Sequence, residues 1–302
     1  MNIGRQKSNQ WRTVLAGGSA LVLVVASCSS NSTQSSSSTS APSAETTTTS
    51  EPAATINTPL KEEPSGTATL SWDPDSKMVT ATVHMQGFTP GSKHAMHIHD
   101  GSCATPGNVV VPFPDVTANE GGAIDTSVAS TKPAPDGLVV GTLLNIHLAS
   151  SDKLGDPGSL GYTSISCADI TPAKAPAPTT LTMSAPPTGE RPSGSAALTF
   201  DPGAKTLTVT VAAKGLAAGS AHAEHIHLGT CGAQGAVQYP LNDLVASADG
   251  AAKTTTVIQN VDQAPPRSGW YVNVHLGPAD AIEQDGKPTL LFQPILCGDV
   301  GD

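Results

Sequence analysis

Basic residues are scarce in this chain. Its 302 residues contain 15 Lys and Arg against 25 Asp and Glu, a formal net charge of −10. Three of those bases, Arg5, Lys7 and Arg12, stand in the leader, where there is no acid. Without them the balance is 12 basic against 25 acidic groups, or −13. A surface that acidic repels nucleic acid and anionic lipid headgroups, so neither is expected as a partner. Charge of either sign is thin at 13%, aromatics make up 3%, and no stretch longer than ten residues has a convincing helical period. Gly, Pro, Ser and Thr are plentiful instead, a composition that favours β-structure with many turns over helical bundles. Long apolar runs are missing too. The one apolar core, Val14 to Ala26 (VLAGGSALVLVVA), is 13 residues long, too short for a comfortable transmembrane span.

That apolar core follows the basic start and ends in Val25-Ala26-Ser27-Cys28, the pattern of an export signal over residues 1–27 with small residues before the cut. The cysteine in the next position resembles the bacterial lipoprotein lipobox, which implies lipidation of Cys28. Residues 28–60 are rich in Ser, Thr and Pro and lack a hydrophobic core, so they are expected to form a disordered tether. The expectation is an extracytoplasmic lipoprotein of the cell envelope, touching the membrane only through its N-terminal lipid.

The remainder is a duplication. SKHAMHIHDGSC (92–103) and SAHAEHIHLGTC (220–231) share eight of twelve positions, and a constant shift of 128 carries one half onto the other. His94, His97, His99 and Cys103 become His222, His225, His227 and Cys231, and Asn145-Ile146-His147 becomes Asn273-Val274-His275. Cys167 becomes Cys297 with two residues inserted on the way. This agreement marks a tandem repeat of one domain, over 61–170 and 181–302, with a Pro/Ala linker at 171–180. Four cysteines remain after Cys28, two per repeat, so Cys103–Cys167 and Cys231–Cys297 are the natural pairs in an oxidising compartment. A disulfide closing a loop of this size typically adds roughly 2–4 kcal/mol.

The local pattern in each repeat is β. Lys205 to Val211 (KTLTVTV) alternates apolar and polar, and 194–200, 221–228, 253–259 and 270–276 read as further strands. In a strand, residues i and i+2 face the same way, so His97 and His99 form a short-bite chelator, as do His225 and His227. His147 and His275, each 48 residues after the second histidine of its pair, supply the third imidazole. His94 and His222 have the opposite parity and are expected to pack or hydrogen-bond on the far side. Ordinary buried histidines are the plainer reading, but all three recur in both copies, whereas His84 has become Ala212. Three imidazoles without a thiolate suit copper or zinc.

His-x-x-His-x-His, a Cys shortly after, a later strand ending in His and a closing Cys-Gly-Asp-Val together resemble the copper–zinc superoxide dismutase family. Bacterial CHRD-type domains, which also have a His-Ile-His segment, are a close second label for the same module. The dismutase resemblance implies an all-β architecture of two tandem superoxide-dismutase-like Greek-key β-barrel or sandwich domains. It also implies one copper per domain, on His97, His99 and His147 and on His225, His227 and His275, with His94 and His222 structural. The departures limit it. No histidine lies between Cys103 and His147 or between Cys231 and His275, so the bridging ligand and a zinc site of the family type are not expected. The channel arginine position holds Ser164 and Pro294. Asn145, Asp152, Asn273 and Asp280 are candidates to accept from the outer nitrogens of the ligating rings, although both aspartates are equally readable as solvated turn residues. Three functions follow as alternatives: weak superoxide dismutation, a non-catalytic module for copper capture or surface interaction, or degenerate sites whose histidines only pack the barrel.

Overall fold

A computed structural model describes residues 53–171, 177–187 and 189–301. The expected leader, Cys28, the expected tether up to residue 52 and residues 172–176 of the linker lie outside the described residues. Among the described residues sixteen strands of five residues or more carry the architecture, with two 3-10 turns and no α-helix. They are β1 (Ala54–Glu62), β2 (Ser65–Trp72), β3 (Val79–Gln86), β4 (Met96–Ser102), β5 (Thr105–Pro112), β6 (Ile124–Ala129), β7 (Thr142–His147) and β8 (Ser164–Asp169). The chain continues through β9 (Thr179–Met183), β10 (Ser193–Asp201), β11 (Thr206–Lys214), β12 (Glu224–Thr230), β13 (Ala233–Pro240), β14 (Ala252–Gln259), β15 (Trp270–His275) and β16 (Pro294–Asp299).

Two four-stranded antiparallel sheets, in the orders β8-β7-β4-β5 and β9-β2-β3-β6, face one another over the first core. The second half repeats this as β13-β12-β15-β16 and β1-β10-β11-β14, joined into one curled sheet through β16 and β1. The fold is therefore all-β and tandem. Alternation decides each core: Ala68, Leu70, Val79, Ala81 and Val83 point into the first, and Ala196, Leu198, Leu207, Val209 and Val211 into the second. Both disulfides are formed, Cys103–Cys167 and Cys231–Cys297.

The leading strand of each repeat lies in the other repeat's sheet. β1 pairs with β10, from Ala54↔Phe200 to Leu60↔Gly194, and then with β16 through Lys61↔Cys297 and Glu62↔Leu296. β9 pairs with β2, from Thr179↔Leu70 to Met183↔Gly66. Gly66 and Gly194 are equivalent, so Leu60 and Met183 occupy the same slot in opposite repeats. Core membership agrees: Leu181 and Met183 belong to the first core, and Leu60 with Ile56 to the second. Residues 54–60, compositionally part of the tether, are thus a central strand. Ile56, Thr58 and Leu60 alternate inward, and that periodicity outweighs the Ser/Thr/Pro content.

The crossover is the two-residue link Glu63-Pro64. Glu63 is buried at the junction, where its N–H donates to the Ile295 carbonyl (3.1 Å) and its carboxylate accepts from Ser65 Oγ and Gln86 Nε2 (3.0 Å each). Burial raises its pKa against those hydrogen bonds. Two glutamines stitch the repeats further. Gln293, 1% exposed, donates to the carbonyl of Gly87 (2.7 Å), and Gln234 donates to that of Phe88 (3.0 Å).

The exchange has a measurable signature. Leu60→Ala should cost about 2–5 kcal/mol, the usual range for emptying a buried leucine site. Hydrogen exchange should then speed up in residues 193–214 and 294–299, in the second repeat. Faster exchange confined to 65–86 would mean that β1 lies on its own repeat.

Candidate metal centre

In β4, Met96 and Ile98 are core residues, which turns His97 and His99 to the opposite face of the sheet. In β7, Leu144 and Ile146 play the same part for Asn145 and His147. β4 and β7 are adjacent and antiparallel, with His97 opposite Asn145 and His99 opposite Leu143. The second repeat matches: His225 stands opposite Asn273 and His227 opposite Tyr271, with His275 two residues along β15. A bulge around His99, and another around His227, re-aims that ring before the strand ends. One residue before the strand ends stands Gly101 or Gly229, whose φ of +95° or +104° is a conformation that side chains rarely adopt.

The structure brings His97, His99 and His147 together, and likewise His225, His227 and His275. In each triad one nitrogen per ring lies within 4.8 Å of the others. All six rings are no more than 9% exposed. His99 Nδ1 lies 3.0 Å from the Gly107 carbonyl and His147 Nδ1 2.8 Å from that of Tyr162. A carbonyl can only accept, so both rings carry their proton on Nδ1 and present bare Nε2 lone pairs inward. Those two Nε2 atoms are 3.4 Å apart. His97 Nδ1, also buried, has no partner.

The second triad is built the same way at two of its rings. His227 Nδ1–H donates to Gly235 (3.0 Å) and His275 Nδ1–H to Phe292 (2.5 Å), leaving both Nε2 atoms as acceptors. His225 Nδ1 lies 3.1 Å from His275 Nε2, and His227 Nε2 has no partner. The groups that fix these ring tautomers are therefore backbone carbonyls. Asp152 instead accepts from Ser150 Oγ (2.5 Å) in an exposed loop, and Asp280 is exposed. Both aspartates sit in solvated loops, where water satisfies a carboxylate more cheaply than a buried ring does. Asn145 does reach the site: its Nδ2 is 3.2 Å from His147 Nε2, and its Oδ1 accepts from Ser164 Oγ. Asn273 is fully buried with neither amide atom partnered.

His94 and His222 stand behind the site. Each donates from Nδ1 to the backbone carbonyl of the third histidine, His147 (2.9 Å) or His275 (2.8 Å). The Nε2 of each accepts from Ser92 or Ser220 (2.6 and 2.7 Å). His84 is exposed and pairs with Asp125 (2.8 Å), away from the triad.

Burial favours the neutral ring at five of the candidate ligands. It lowers His97 and His225 to about 4 and His275 to about 3, with repulsion between neighbouring imidazoles adding to the effect. His147 and His227 shift the same way, chiefly through burial. Neutral imidazole is the form that binds a metal.

Two features escaped the sequence reading. Glu224 fills the core position that Met96 holds in the first repeat. It is fully buried, neither carboxylate oxygen has a partner, and burial, with Asp243 adding repulsion, raises its pKa to about 8. The Met-to-Glu difference at an inward strand position was its only signal. Tyr271 replaces Leu143 beside the disulfide and stacks on His227, with ring centroids 4.9 Å apart and planes 15° from parallel.

The family model for the CHRD domain matches the chain twice, over residues 36–153 and 177–279. No curated protein matches it. Of the two labels that the His-Ile-His segment raised, this match supports the CHRD label.

The shifts set two opposed pH dependences. The histidines titrate below their unfolded value of 6.5, so the unfolded chain takes up protons first as pH falls. Their contribution is intact above 6.5 and is lost as the pH drops toward 4. Glu224 titrates above its unfolded value of 4.5, so its contribution is full below 4.5 and is lost as the pH rises to about 8. Glu224→Met should remove the second trend. It should also raise stability at pH 8 by about 1–3 kcal/mol, the cost of a buried unsatisfied polar group. Urea unfolding of both chains across this pH range measures the effect.

Proposed function

Starting from a chain that belongs to the CHRD-domain family and carries two copies of that domain, we propose that it binds one copper ion per repeat. The ligands are His97, His99 and His147 in the first site and His225, His227 and His275 in the second. The observation that carries this reading is the facing pair of Nε2 lone pairs on His99 and His147, 3.4 Å apart. Asn145 Nδ2 can donate to His147 Nε2 (3.2 Å), but a cation between the two rings would satisfy both lone pairs at once. The tautomers are set by Gly107 and Tyr162, so neither ring can relieve the clash by moving its proton without losing a carbonyl. Three neutral nitrogens without a thiolate suit copper or zinc, and the motif's likeness to the copper–zinc superoxide dismutases favours copper.

Copper would supply one-electron chemistry, oxidising one superoxide and reducing the next. The chain's own residues favour capture over turnover. No histidine stands between the first cysteine and the third ligand of either repeat to relay a proton, and the net charge repels an anion. Ser164 and Pro294 occupy the position where the dismutase resemblance calls for an arginine. We therefore assign metal holding as the primary function and slow dismutation as the second reading. We propose, from the leader-like start and Cys28, that the protein sits outside the cytoplasmic membrane on a lipid anchor, where incoming copper would be met.

Metal analysis of the mature chain tests the assignment. Two coppers per chain are expected, one after His225→Ala with His227→Ala, and none when His99 and His147 are changed as well. Copper at 100 times its Kd should stabilise the fold by about 2.7 kcal/mol. No copper above background in the unaltered chain would overturn the assignment. A superoxide assay of the loaded protein then separates the readings, since a rate no better than adventitious protein-bound copper leaves capture alone.

A further inference from the structure

A cavity of about 740 Å³ opens where the two repeats meet, and no triad histidine is among the described residues that line it. That volume falls within the roughly 300–1,000 Å³ of small-molecule sites. The first repeat supplies two turns, 89–94 between β3 and β4 and 148–153 after β7. The second repeat closes them over with Pro288, Thr289, Leu290 and Gln293, just before β16. Gln293 fixes the walls to each other: its Nε2 donates to the Gly87 carbonyl and its Oε1 accepts from the Thr89 N–H (3.4 Å).

The equivalent turns of the second repeat show what the scaffold itself needs. The shift of 128 carries Asp115 onto Asp243 and Asp152 onto Asp280. Asp115 accepts from the Ser151 N–H and Asp243 from the Ala279 N–H (3.2 Å each), so this carboxylate pins the later turn in both repeats. Lys93 and Lys153, in contrast, become Ala221 and Ala281. The second repeat makes the same turns without them, so the fold does not require either lysine. They stand only where the other repeat roofs the turns into a cavity. Among the described residues neither is ion-paired. The carboxylates of Asp115 and Asp152 already accept from Ser151 and Ser150, whereas the ammonium donors are unused. Both ammoniums reach the same point: Asp152 titrates below the usual carboxylate range, first through Ser150 Oγ and further through Lys153 and Lys93. Two of the 12 bases outside the leader thus converge at one mouth.

We propose that this junction cavity binds a small organic anion, with Lys93 and Lys153 on its carboxylate or phosphate group and Leu148 and Leu290 against its carbon body. An ammonium offers three donors and no acceptor, so the unspent chemistry here takes an anion rather than a cation or an uncharged molecule. The ligand touches both repeats, and binding it needs no copper.

Calorimetric titration of the metal-free chain with glycerol phosphate, with succinate and with uncharged glycerol tests this. One anion per chain should bind and glycerol should not, and the tighter of the two anions tells a phosphate from a carboxylate headgroup. Lys93→Ala and Lys153→Ala each install the residue that the second repeat carries. Singly they should weaken binding about tenfold, the scale of one charge-assisted contact, and together they should abolish it. Lys132→Ala with Lys253→Ala, an equal loss of charge elsewhere, should leave it intact. Leu290→Trp fills the cavity from the second repeat without changing charge and should also abolish binding, which keeps the test open if the double lysine variant does not fold. Saturable binding of neither anion, equal binding of glycerol, or an affinity left unchanged by the double lysine variant or by Leu290→Trp would overturn the proposal.

Discussion

The two-residue repeat of the β-strand governs the rest of this molecule. β4 and β7 each send alternate residues into a hydrophobic core, and that requirement alone turns the intervening histidines outward onto one face. Ile98, Leu144 and Ile146 are fully or almost fully buried, so the strands cannot slip by one residue without moving imidazoles into the core. The sites are thus held by the same packing that holds the fold. Backbone carbonyls of Gly107 and Tyr162, and of Gly235 and Phe292, then fix which nitrogen of each ring faces inward.

The strand exchange ties the two repeats into one structure. β1 lies between β16 and β10 in the order of the second half's sheet, and β9 completes the sheet of the first. The order of strands along the chain is therefore not the order of ownership by repeat. Glu63, Gln234 and Gln293 satisfy backbone groups across the junction, where an unpaired amide or carbonyl would be left dry.

Duplication also exposes divergence. The second repeat has accepted Glu224 in place of a core methionine and Tyr271 in place of a leucine. It also has Pro294 where the first has Ser164. Each change leaves a buried polar atom without a partner, and the second repeat holds most of the unpartnered buried side-chain atoms among the described residues. A repeat that spends stability in this way near its histidine triad differs in side-chain chemistry from its twin, although their histidines superimpose in sequence.

The sequence by itself determined what depends on short-range pattern. Alternation in KTLTVTV marked a strand, the i, i+2 spacing put His97 with His99 and His225 with His227 on one face, and the constant shift identified the duplication. Cysteine pairing followed from two per repeat. Residues 54–60 were obscured because their Ser/Thr/Pro neighbours resemble a tether, while their alternation matters only once β10 and β16 offer a slot. Asp152 was a candidate by spacing, but the loop carries it to Ser150, and a carbonyl from Tyr162 takes the place at His147. Carbonyl partners have no side-chain signature, so no motif can announce them. Which strand sits in which sheet, which ring nitrogen faces inward and whether Asn145 or Asn273 is engaged were decided only by the tertiary structure. These depend on contacts between residues far apart in the chain, whose energies sequence spacing does not encode.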